Sequence, residues 1–569
     1  MPVIVERSFD PSIAAELAAD GIQPALARIL AARGIISASQ LESSLAGLIP
    51  PERLTNNQRM AAIMADAIAE RKRFLVIGDY DADGATATAV AVRGLRSMGA
   101  IVDYLVPNRF EYGYGLTPEI VKLAAERQPD IIVTVDNGIA SVEGVDAANM
   151  LGIAVLITDH HLPADQLPQA LCILNPNQHG CHFPSKHLAG VGVIFYAMLA
   201  LRAQLRARGA FEERPEPNLT ELLDIVALGT VADLVRLDDN NRILVEQGLR
   251  RIRAGRACPG INALLRLSGR KAEKAIAQDL GFSVGPRLNA AGRLDDMSLG
   301  IECLLAENEA DALRMAQQLH ELNLARRAIE TDMQELATIA LEDIEPEGRY
   351  TLSLYHPDWH QGVIGILASR IKERHHRPVI AFARAGDGVL KGSGRSIRTL
   401  HLRDALDLVA KREPGLLQKF GGHAMAAGMS ILEHDFERFC EVFENVVSGL
   451  LAPADLDSVI EVDGSLAGEA MQLQTAVLLE KQVWGQGFPP PSFFDVFDVV
   501  SQRVVGERHL KLTLDKDGRQ YDAIFFQQQE FLPATVALVY ELQSNEYNGS
   551  LSLQLNLRSW QPVAQDLSR

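Results

Sequence analysis

Residues 74–84 read FLVIGDYDADG, an apolar run followed directly by alternating carboxylates. The apolar part is typical of a buried β-strand, and the small residues that follow Gly84 favour a helix. Asp79, Asp81 and Asp83 repel one another at this spacing and cost stability unless a cation or strong hydrogen-bond donors compensate. The stretch therefore predicts a strand-to-helix turn that binds a divalent metal ion.

Short apolar runs rich in branched residues recur along the following part of the chain. Runs at 101–106, 130–135 and 153–158 follow the one at 74–78, and helical stretches separate them. This alternation is typical of a doubly wound parallel sheet of the α/β class. In such sheets ligands bind beyond the carboxyl ends of the strands, where the strand order reverses. We therefore predict the functional site at that edge.

Acids and histidines follow three of the four predicted strands. The strand at 74–78 precedes the three aspartates, the strand at 130–135 precedes Asp136, and the strand at 153–158 precedes Asp159, His160 and His161. Asp233 lies in a predicted helix within GTVADLV, where a lone Asp more often caps or pairs with a cation. The convergence of the other acids favours a ligand role instead. The predicted metal ligands are Asp79, Asp81, Asp83, Asp136, His160 and Asp233.

The chemistry of this predicted site follows from its ligand types. Ca²⁺ favours ligands that are all oxygen, whereas a histidine among carboxylates favours Mn²⁺ or a similar ion. Two divalent ions that share a carboxylate can activate water and neutralise charge on a phosphoryl group. The predicted reaction is therefore the hydrolysis of a phosphate ester.

Length and composition indicate a multidomain cytoplasmic protein. The 569 residues correspond to roughly four domains, and 47% hydrophobic content is enough for each to bury a core. We find no apolar leader and no uninterrupted apolar run of about 18 residues, so neither secretion nor membrane association is expected. The five cysteines are odd in number and scattered, which suits a reducing cytoplasm.

The formal net charge of −18 argues against nucleic acid as a partner, because phosphate binding depends on Lys and Arg. Basic residues are nevertheless concentrated at 249–274 and again at 370–377. A solvated helix face is the commoner origin of such runs, and a nucleic-acid contact is the alternative.

The remaining chain divides into further segments. Residues 301–344 contain neither Pro nor Gly, which predicts a long connecting helix. The loops KGSGRS at 391–396 and FGGHAMAAG at 420–428 combine glycines with directed donors and suit phosphate. The strand-rich tail predicts a small OB-like β-barrel, which could bind single strands or be purely structural. The predicted division is a helical segment 1–53, a catalytic domain 54–300, the helix 301–344, a substrate-binding αβ domain 345–451 and a β domain 452–569.

Four motifs in this order, DYDADG, VDNG, TDHH and GTVADLV, resemble those of the DHH phosphoesterase family. GGHAMAAG resembles the DHHA1 domain that accompanies it. The length, the loops GPRLNAAGR and GSGRS and the β-rich tail resemble the members of this family that degrade single-stranded DNA from the 5′ end. The resemblance covers nearly the whole chain.

This resemblance implies a role for each residue of the cluster. Asp136 would bridge two ions, Asp159 would orient a neighbouring ligand, and His161 would face the scissile phosphate. The two ligand sets would be Asp81 with Asp136, and Asp83 with Asp136, His160 and Asp233. Many small-substrate relatives place a His at the position of Ile77, so Asp79 is the candidate replacement for that ligand.

The resemblance also implies a pocket for the terminal 5′ phosphate, formed by Arg109, Ser393 and Arg395, with further phosphate and base contacts nearby. The full set of predicted substrate-binding residues is Arg109, Tyr114, Arg287, Asn289, Ser393, Arg395, Gly421, Gly422 and His423.

We therefore predict an exonuclease dependent on two Mn²⁺ or Mg²⁺ ions that hydrolyses single-stranded DNA from 5′ to 3′ into mononucleotides, in recombination and repair. One alternative is a DHH phosphodiesterase for short oligonucleotides or cyclic dinucleotides. Another is a scaffold that binds single strands without cutting them. A single-strand-binding protein and a helicase are the implied partners, and a monomer is expected.

Overall fold

A computed structural model describes residues 2–107, 115–342, 348–466, 470–506, 508–547 and 549–563. The chain forms two compact units. The first unit contains residues 321–460 and the first residues of the chain, and the second contains residues 6–320 and the chain from 461 onward.

After the short strand β1 (Val3–Glu6), the second unit begins with helices and continues into a parallel sheet with its flanking helices. The elements are α1 (Pro11–Ala19), α2 (Pro24–Ala31), α3 (Asn57–Ala69), β2 (Arg73–Gly78), α4 (Ala82–Ser97), β3 (Ile101–Leu105), α5 (Pro118–Ala125), β4 (Ile131–Val135), α6 (Val142–Met150), β5 (Ala154–Thr158) and β6 (Cys172–Leu174).

The sheet has the order β3-β2-β4-β5-β6, and each neighbouring pair is parallel. The strand order reverses between β2 and β4, because the chain adds β3 on one side of β2 and all later strands on the other. The four predicted strands and the doubly wound arrangement are confirmed, and β6 is an additional edge strand. The carboxyl ends of β2 and β4 therefore meet at the reversal point, where such sheets bind ligands, and the end of β5 lies next to them.

A helical region follows the sheet. It comprises α7 (Gly190–Ala207), α8 (Leu223–Ala232), α9 (Asp239–Arg253), α10 (Pro259–Leu267), α11 (Ala277–Asp279), a π-helical turn (Leu280–Val284), α12 (Gly285–Leu294), α13 (Ser298–Leu305) and α14 (Glu309–Glu342). Among the described helices, α7 alone is long and apolar enough for a membrane span. Two-thirds of it is buried inside the protein, as expected for a core helix, so it is weak evidence for a membrane.

The connecting helix predicted over 301–344 is in fact interrupted. Helix α13 ends at Leu305, and α14 begins at Glu309. Asn308 causes the restart, because its side-chain oxygen accepts a hydrogen bond from the Asp311 backbone at 2.9 Å and so caps the new helix. The prediction recognised the absence of Pro and Gly but missed this capping signal.

The first unit holds a mixed sheet of order β10-β11-β9-β8-β7 with helices on its faces. Its elements are β7 (Leu352–Tyr355), α15 (Ile364–His375), β8 (Val379–Gly386), β9 (Val389–Arg395), α16 (Leu402–Arg412), β10 (Lys419–Gly422), β11 (Ala426–Leu432) and α17 (Phe436–Ser448). One core packs α15 and the end of α14 against the sheet, and another packs α16 and α17.

The C-terminal region forms a closed barrel of order β13-β14-β15-β17-β16, which confirms the OB-like prediction. The elements are β12 (Val459–Val462), α18 (Leu473–Glu480), β13 (Phe493–Val505), β14 (His509–Lys516), β15 (Arg519–Phe526), β16 (Thr535–Tyr547) and β17 (Ser550–Pro562). The predicted strand at 459–462 lies outside the barrel and pairs with β1. The predicted domain boundaries remain predictions.

Candidate metal centre

The turn after β2 is built around Asp81. Its Oδ1 accepts hydrogen bonds from the backbone N–H groups of Asp83 at 2.9 Å and Gly84 at 3.0 Å, so Asp81 is the N-cap of α4. Gly84 is required here because an added Cβ would lie 2.4 Å from the Asp79 carbonyl oxygen. The alternating carboxylates thus belong to a tight strand-to-helix turn, as the sequence predicted.

The N-terminus of α7 holds Asp83. The backbone N–H groups of Gly190 and Val191 donate to the two oxygens of Asp83, at 2.6 and 2.9 Å. A helix N-terminus favours a negative charge, so this contact partly stabilises the buried carboxylate. Gly190 also lies against Asp136, because an added Cβ would be 2.6 Å from Asp136 Oδ1. Sequence reasoning missed Gly190, since LAGVG looks like an ordinary small-residue helix start.

Asp136 lies directly after β4 in a left-handed conformation with φ of 62°. Such a conformation is uncommon for a residue other than glycine, although Asp tolerates it better than most. Asn137 stabilises this bend, because its side-chain amide donates to the carbonyl oxygens of Ile77 and Val135. The ends of β2 and β4 are thereby tied together beside the carboxylates.

His160 lies among three of the predicted acids. Its Nε2 is 3.1 Å from Asp136 Oδ1, 3.6 Å from Asp233 Oδ2 and 4.0 Å from Asp83 Oδ2. Asp233 reaches the cluster as the C-cap of α8. The predicted convergence of strand ends and this helix is therefore observed.

The potential ligand atoms form three overlapping groups, each with its atoms within 4.8 Å of one another. Asp136 belongs to two of the groups and His160 to two. The groups are Asp79 with Asp81 and Asp136, Asp83 with His160 and Asp233, and Asp136 with His160 and His161. Asp79 thus lies with Asp81 and Asp136, whereas Ile77 is fully buried in the sheet core.

Burial and mutual repulsion raise the pKa of three carboxyl groups in this cluster. Burial is the largest cause and the charge of Asp81 the second, and together they raise the pKa of Asp83 to about 7. The hydrogen bonds from the two backbone N–H groups lower this pKa but do not outweigh them. Burial, followed by the charge of Asp83, raises the pKa of Asp136 and of Asp233 well above the usual value. Carboxylates with an imidazole in this crowding fit a divalent cation, whose charge would offset the repulsion.

Asp159 forms a pair with His161, which belongs to one of these ligand groups. His161 Nδ1 is 2.8 Å from Asp159 Oδ1, and Asp159 also accepts from the backbone N–H groups of Ile139, His160 and His161. Burial would lower the pKa of His161, but the hydrogen bond and charge of Asp159 outweigh it and raise that pKa to about 9. Asp159 therefore favours the protonated form of the His161 imidazole.

Two asparagines after β6 hold the histidine loop, and sequence reasoning missed both. Asn175 donates to the His161 carbonyl at 2.9 Å, and Asn177 donates to the His160 carbonyl at 2.6 Å. The signal was available, since NPN follows an apolar run that ends at the same edge of the sheet.

Of the predicted substrate-binding residues in the second unit, Arg109 and Tyr114 lie outside the described residues. Asn289 uses its side-chain oxygen to accept from the Ala82 backbone N–H at 2.8 Å, which supports the aspartate turn. Arg287 donates to His320 Nδ1 at 3.2 Å and to the Ser283 carbonyl.

The first unit brings together Ser393, Arg395 and the start of α15. Arg395 donates to Ser393 Oγ at 3.2 Å and to the Gly394 carbonyl at 2.8 Å. An added Cβ on Gly365 would lie 2.9 Å from both Arg395 Nη2 and Ser393 Oγ. Burial lowers the pKa of Arg395, and no carboxylate among the described residues is a cause of that shift. A guanidinium beside a helix N-terminus suits an anion such as phosphate.

The glycine loop of the first unit forms the hairpin between β10 and β11. Gly422 has φ of 143°, and an added Cβ would lie 2.4 Å from the Ala426 carbonyl oxygen. Gly421 and His423 are exposed, and the His423 backbone N–H donates to the Ala426 carbonyl at 2.8 Å.

The basic segment at 249–274 is largely used in internal contacts. Lys271 and Lys274 pair with Glu546 of the barrel, and Arg251 lies 3.6 Å from the buried Asp224. Further pairs join Arg250 and Arg253 to Glu246, and Arg270 to Asp279. These contacts favour a structural role for the segment over a nucleic-acid contact.

Three family models match the chain. The DHH family N-terminal domain matches residues 73–230, the DHHA1 domain matches 347–449, and the RecJ OB domain matches 462–559. The parallel sheet with its acidic edge, the mixed sheet and the barrel therefore define a DHH protein.

Curated relatives specify the family further. The single-stranded-DNA-specific exonucleases RecJ of Dickeya dadantii and Escherichia coli are each 52% identical to the chain. The alignment with the Dickeya protein covers 99% of this chain and 100% of that protein. The alignment with the Escherichia coli protein covers 95% of this chain and 96% of that protein. The chain belongs to the RecJ family.

Solved structures agree with this assignment. RecJ from Thermus thermophilus in complex with Mn²⁺ has a TM-score of 0.82 at 30% identity, over 98% of this chain and 79% of that one. The complex of the same protein with Mg²⁺ has a TM-score of 0.77 at 29% identity, over 98% and 78%.

Proposed function

We propose that this protein is a metal-dependent exonuclease that hydrolyses single-stranded DNA from the 5′ end and releases mononucleotides. The observation that carries the proposal is the cluster at the sheet edge, where potential ligand atoms from three strand ends and α8 lie within 4.8 Å in overlapping groups. RecJ relatives that share about half of its residues over nearly their full length support the substrate.

Two divalent ions, Mn²⁺ or Mg²⁺, fit this donor set. Asp79, Asp81 and Asp136 would hold one ion, and Asp83, His160 and Asp233 would hold the other, with Asp136 available to both. When bound, such ions supply Lewis-acid activation of water and of the phosphate ester. The Thermus thermophilus RecJ complexes with Mn²⁺ and with Mg²⁺ support this assignment.

The chain's own groups position the remaining chemistry. Asp159 holds His161 through Nδ1, and its hydrogen bond and charge raise the pKa of His161. A cationic imidazole beside the scissile phosphate would neutralise charge and donate a proton to the leaving oxygen.

Ser393 and Arg395 would bind the terminal 5′ phosphate. Gly421, His423, Arg287 and Arg109 would contact other phosphates of the strand. Tyr114 would stack on a base. The OB-like barrel suits single-stranded DNA, and we propose a cytoplasmic monomer that acts with a single-strand-binding protein and a helicase in recombination and repair.

Product analysis on a long, 5′-phosphorylated single strand with Mn²⁺ tests this function. We expect mononucleotides to appear sequentially from the 5′ end, and Asp83→Ala and Asp136→Ala to remove the activity. Cleavage confined to very short oligonucleotides or cyclic dinucleotides would instead establish the small-substrate phosphodiesterase. Parental activity in both variants would refute the metal centre, and binding without cleavage by the parent protein would establish the scaffold.

A further inference from the structure

A single π-helical turn, Leu280–Val284, connects α11 to α12 and exposes an aromatic side chain. Phe282 is 78% exposed, whereas Leu280, Ser283 and Val284 of the same turn are buried. π-Helical turns are rare and occur frequently at functional sites. The turn therefore anchors its neighbours in the protein and presents Phe282 to solvent.

The turn is fixed against the helix that delivers Asp233. An added Cβ on Gly281 would lie 3.1 Å from Val231 Cγ1, and one on Gly285 would lie 3.3 Å from Ala232 Cβ. Both contacts are with the last turn of α8, whose C-cap is Asp233. The backbone that carries Phe282 thus packs directly against the last turn before this ligand candidate.

The same segment continues to the aspartate turn after β2. Asn289 accepts from the Ala82 backbone N–H at 2.8 Å, and an added Cβ on Gly292 would lie 1.9 Å from the Tyr80 carbonyl oxygen. Residues 281–292 therefore run from the Asp233 side of the acid cluster to its Asp81 side.

A second exposed apolar side chain lies beside the cluster. Leu234 directly follows Asp233, is 65% exposed and has φ of 59°. A positive φ is costly for a bulky residue, so its persistence here indicates a conformation imposed by the site. Phe282 and Leu234 are thus exposed apolar side chains on the two segments that pack together at the end of α8.

We propose that Phe282 is a stacking platform for a nucleobase of the bound single strand, next to the metal centre. The inference rests on the proposed function, since it assumes a polynucleotide substrate. Every base offers a π-face, so stacking binds single strands without reading their sequence. An aromatic platform would hold the strand by its base while the phosphate of that nucleotide lies at the metal centre.

The test compares a 5′-phosphorylated oligonucleotide with a matched strand that lacks the bases near its 5′ end. We expect Phe282→Ala to raise KM on the normal strand by about 5-fold to 100-fold, with kcat less affected. On the strand without bases, the KM of Phe282→Ala should equal that of the parent enzyme, because no base is present to stack on Phe282. Phe282→Trp should retain the parent's preference for bases.

Met150→Ala provides a matched control, since Met150 is 81% exposed at the end of α6, at the opposite edge of the sheet. The Met150→Ala variant should have the parent's KM and kcat on both strands. Equal losses on the two strands, or an unchanged KM for Phe282→Ala, would overturn the stacking role. A parent enzyme that degrades neither strand would refute the proposed exonuclease function and is thereby distinguished from failure of the platform alone.

Discussion

Single residues decide how the acid cluster is held together. Asp159 accepts hydrogen bonds from the Ile139 backbone and from the two histidines that follow it. Burial would raise the pKa of Asp159, but the hydrogen bond and charge of His161 lower it overall. Asp159 thus stays ionised and organises the loop without being a ligand candidate itself.

Asp159→Asn is expected to lower Mn²⁺ affinity or kcat/KM by about 10-fold to 100-fold. The amide has one acceptor oxygen where the carboxylate has two, and its NH₂ group would face N–H groups that now donate to Asp159. Calorimetric titration with Mn²⁺ and steady-state kinetics measure the two effects. Asp165→Asn, on an exposed carboxylate of the same loop, is the control. Parental values for both variants would contradict the positioning role of Asp159.

Gly190 brings the backbone of α7 close to Asp136. Gly190→Ala places a methyl group 2.6 Å from Asp136 Oδ1, so we expect α7 to shift and the affinity for Mn²⁺ to fall at least tenfold, or by about 1.4 kcal/mol. Gly192→Ala is the matched control, because the atoms nearest to its methyl group belong to the Leu188 side chain, with Cδ2 at 3.1 Å. If the two variants bind Mn²⁺ alike, the proposed role of Gly190 is wrong.

At the scale of elements, helix N-termini recur as supports for anionic groups. The first N–H groups of α7 bind Asp83, and the start of α15 lies beside Ser393 and Arg395. The partial positive charge of a helix N-terminus stabilises Asp83 in the first case. In the second case the start of α15 and Arg395 together form the site where we propose that the terminal phosphate binds.

Arg395→Ala is expected to reduce the preference for a 5′-phosphorylated over a 5′-hydroxyl strand by about 10-fold to 100-fold, since hydrogen bonds to charged groups contribute about 1.5–3 kcal/mol. The ratio of kcat/KM values on the two strands measures it. Arg384→Ala is the control, because Arg384 lies on β8 and is an exposed ion-pair partner of Glu433. This variant should leave the ratio unchanged. An unchanged ratio in Arg395→Ala would place the terminal phosphate elsewhere.

At the scale of the whole molecule, the candidate metal centre lies entirely within one compact unit and the Ser393–Arg395 pair within the other. Metal binding should therefore stabilise the two units unequally, because a ligand stabilises the structure that binds it.

Hydrogen exchange measures this difference. At Mn²⁺ concentrations of about 100 times Kd, we expect the opening free energy of peptides that contain the ends of β2, β4 and β5 to rise by about 2.7 kcal/mol. Peptides from β8 and β9 should show little change, and Asp136→Ala should abolish the effect. Equal protection of both units would contradict a metal centre confined to one.

The sequence by itself determined the parallel sheet and the acids at its edge. These features follow from local signals, because a strand is marked by its apolar run and a ligand by its position directly after it. The contacts that α7, α8 and the π-helical turn make around those acids carry no such local signal.

Only the tertiary structure decided which groups support the cluster. Asp83 meets the start of α7 across 107 residues, Asn289 reaches Ala82 across 207, and the basic segment pairs with acids in other elements. The exposure of Phe282 likewise depends on how its turn packs on α8. Such contacts depend on how helices pack against one another, and this long-range geometry leaves no periodic pattern in the chain.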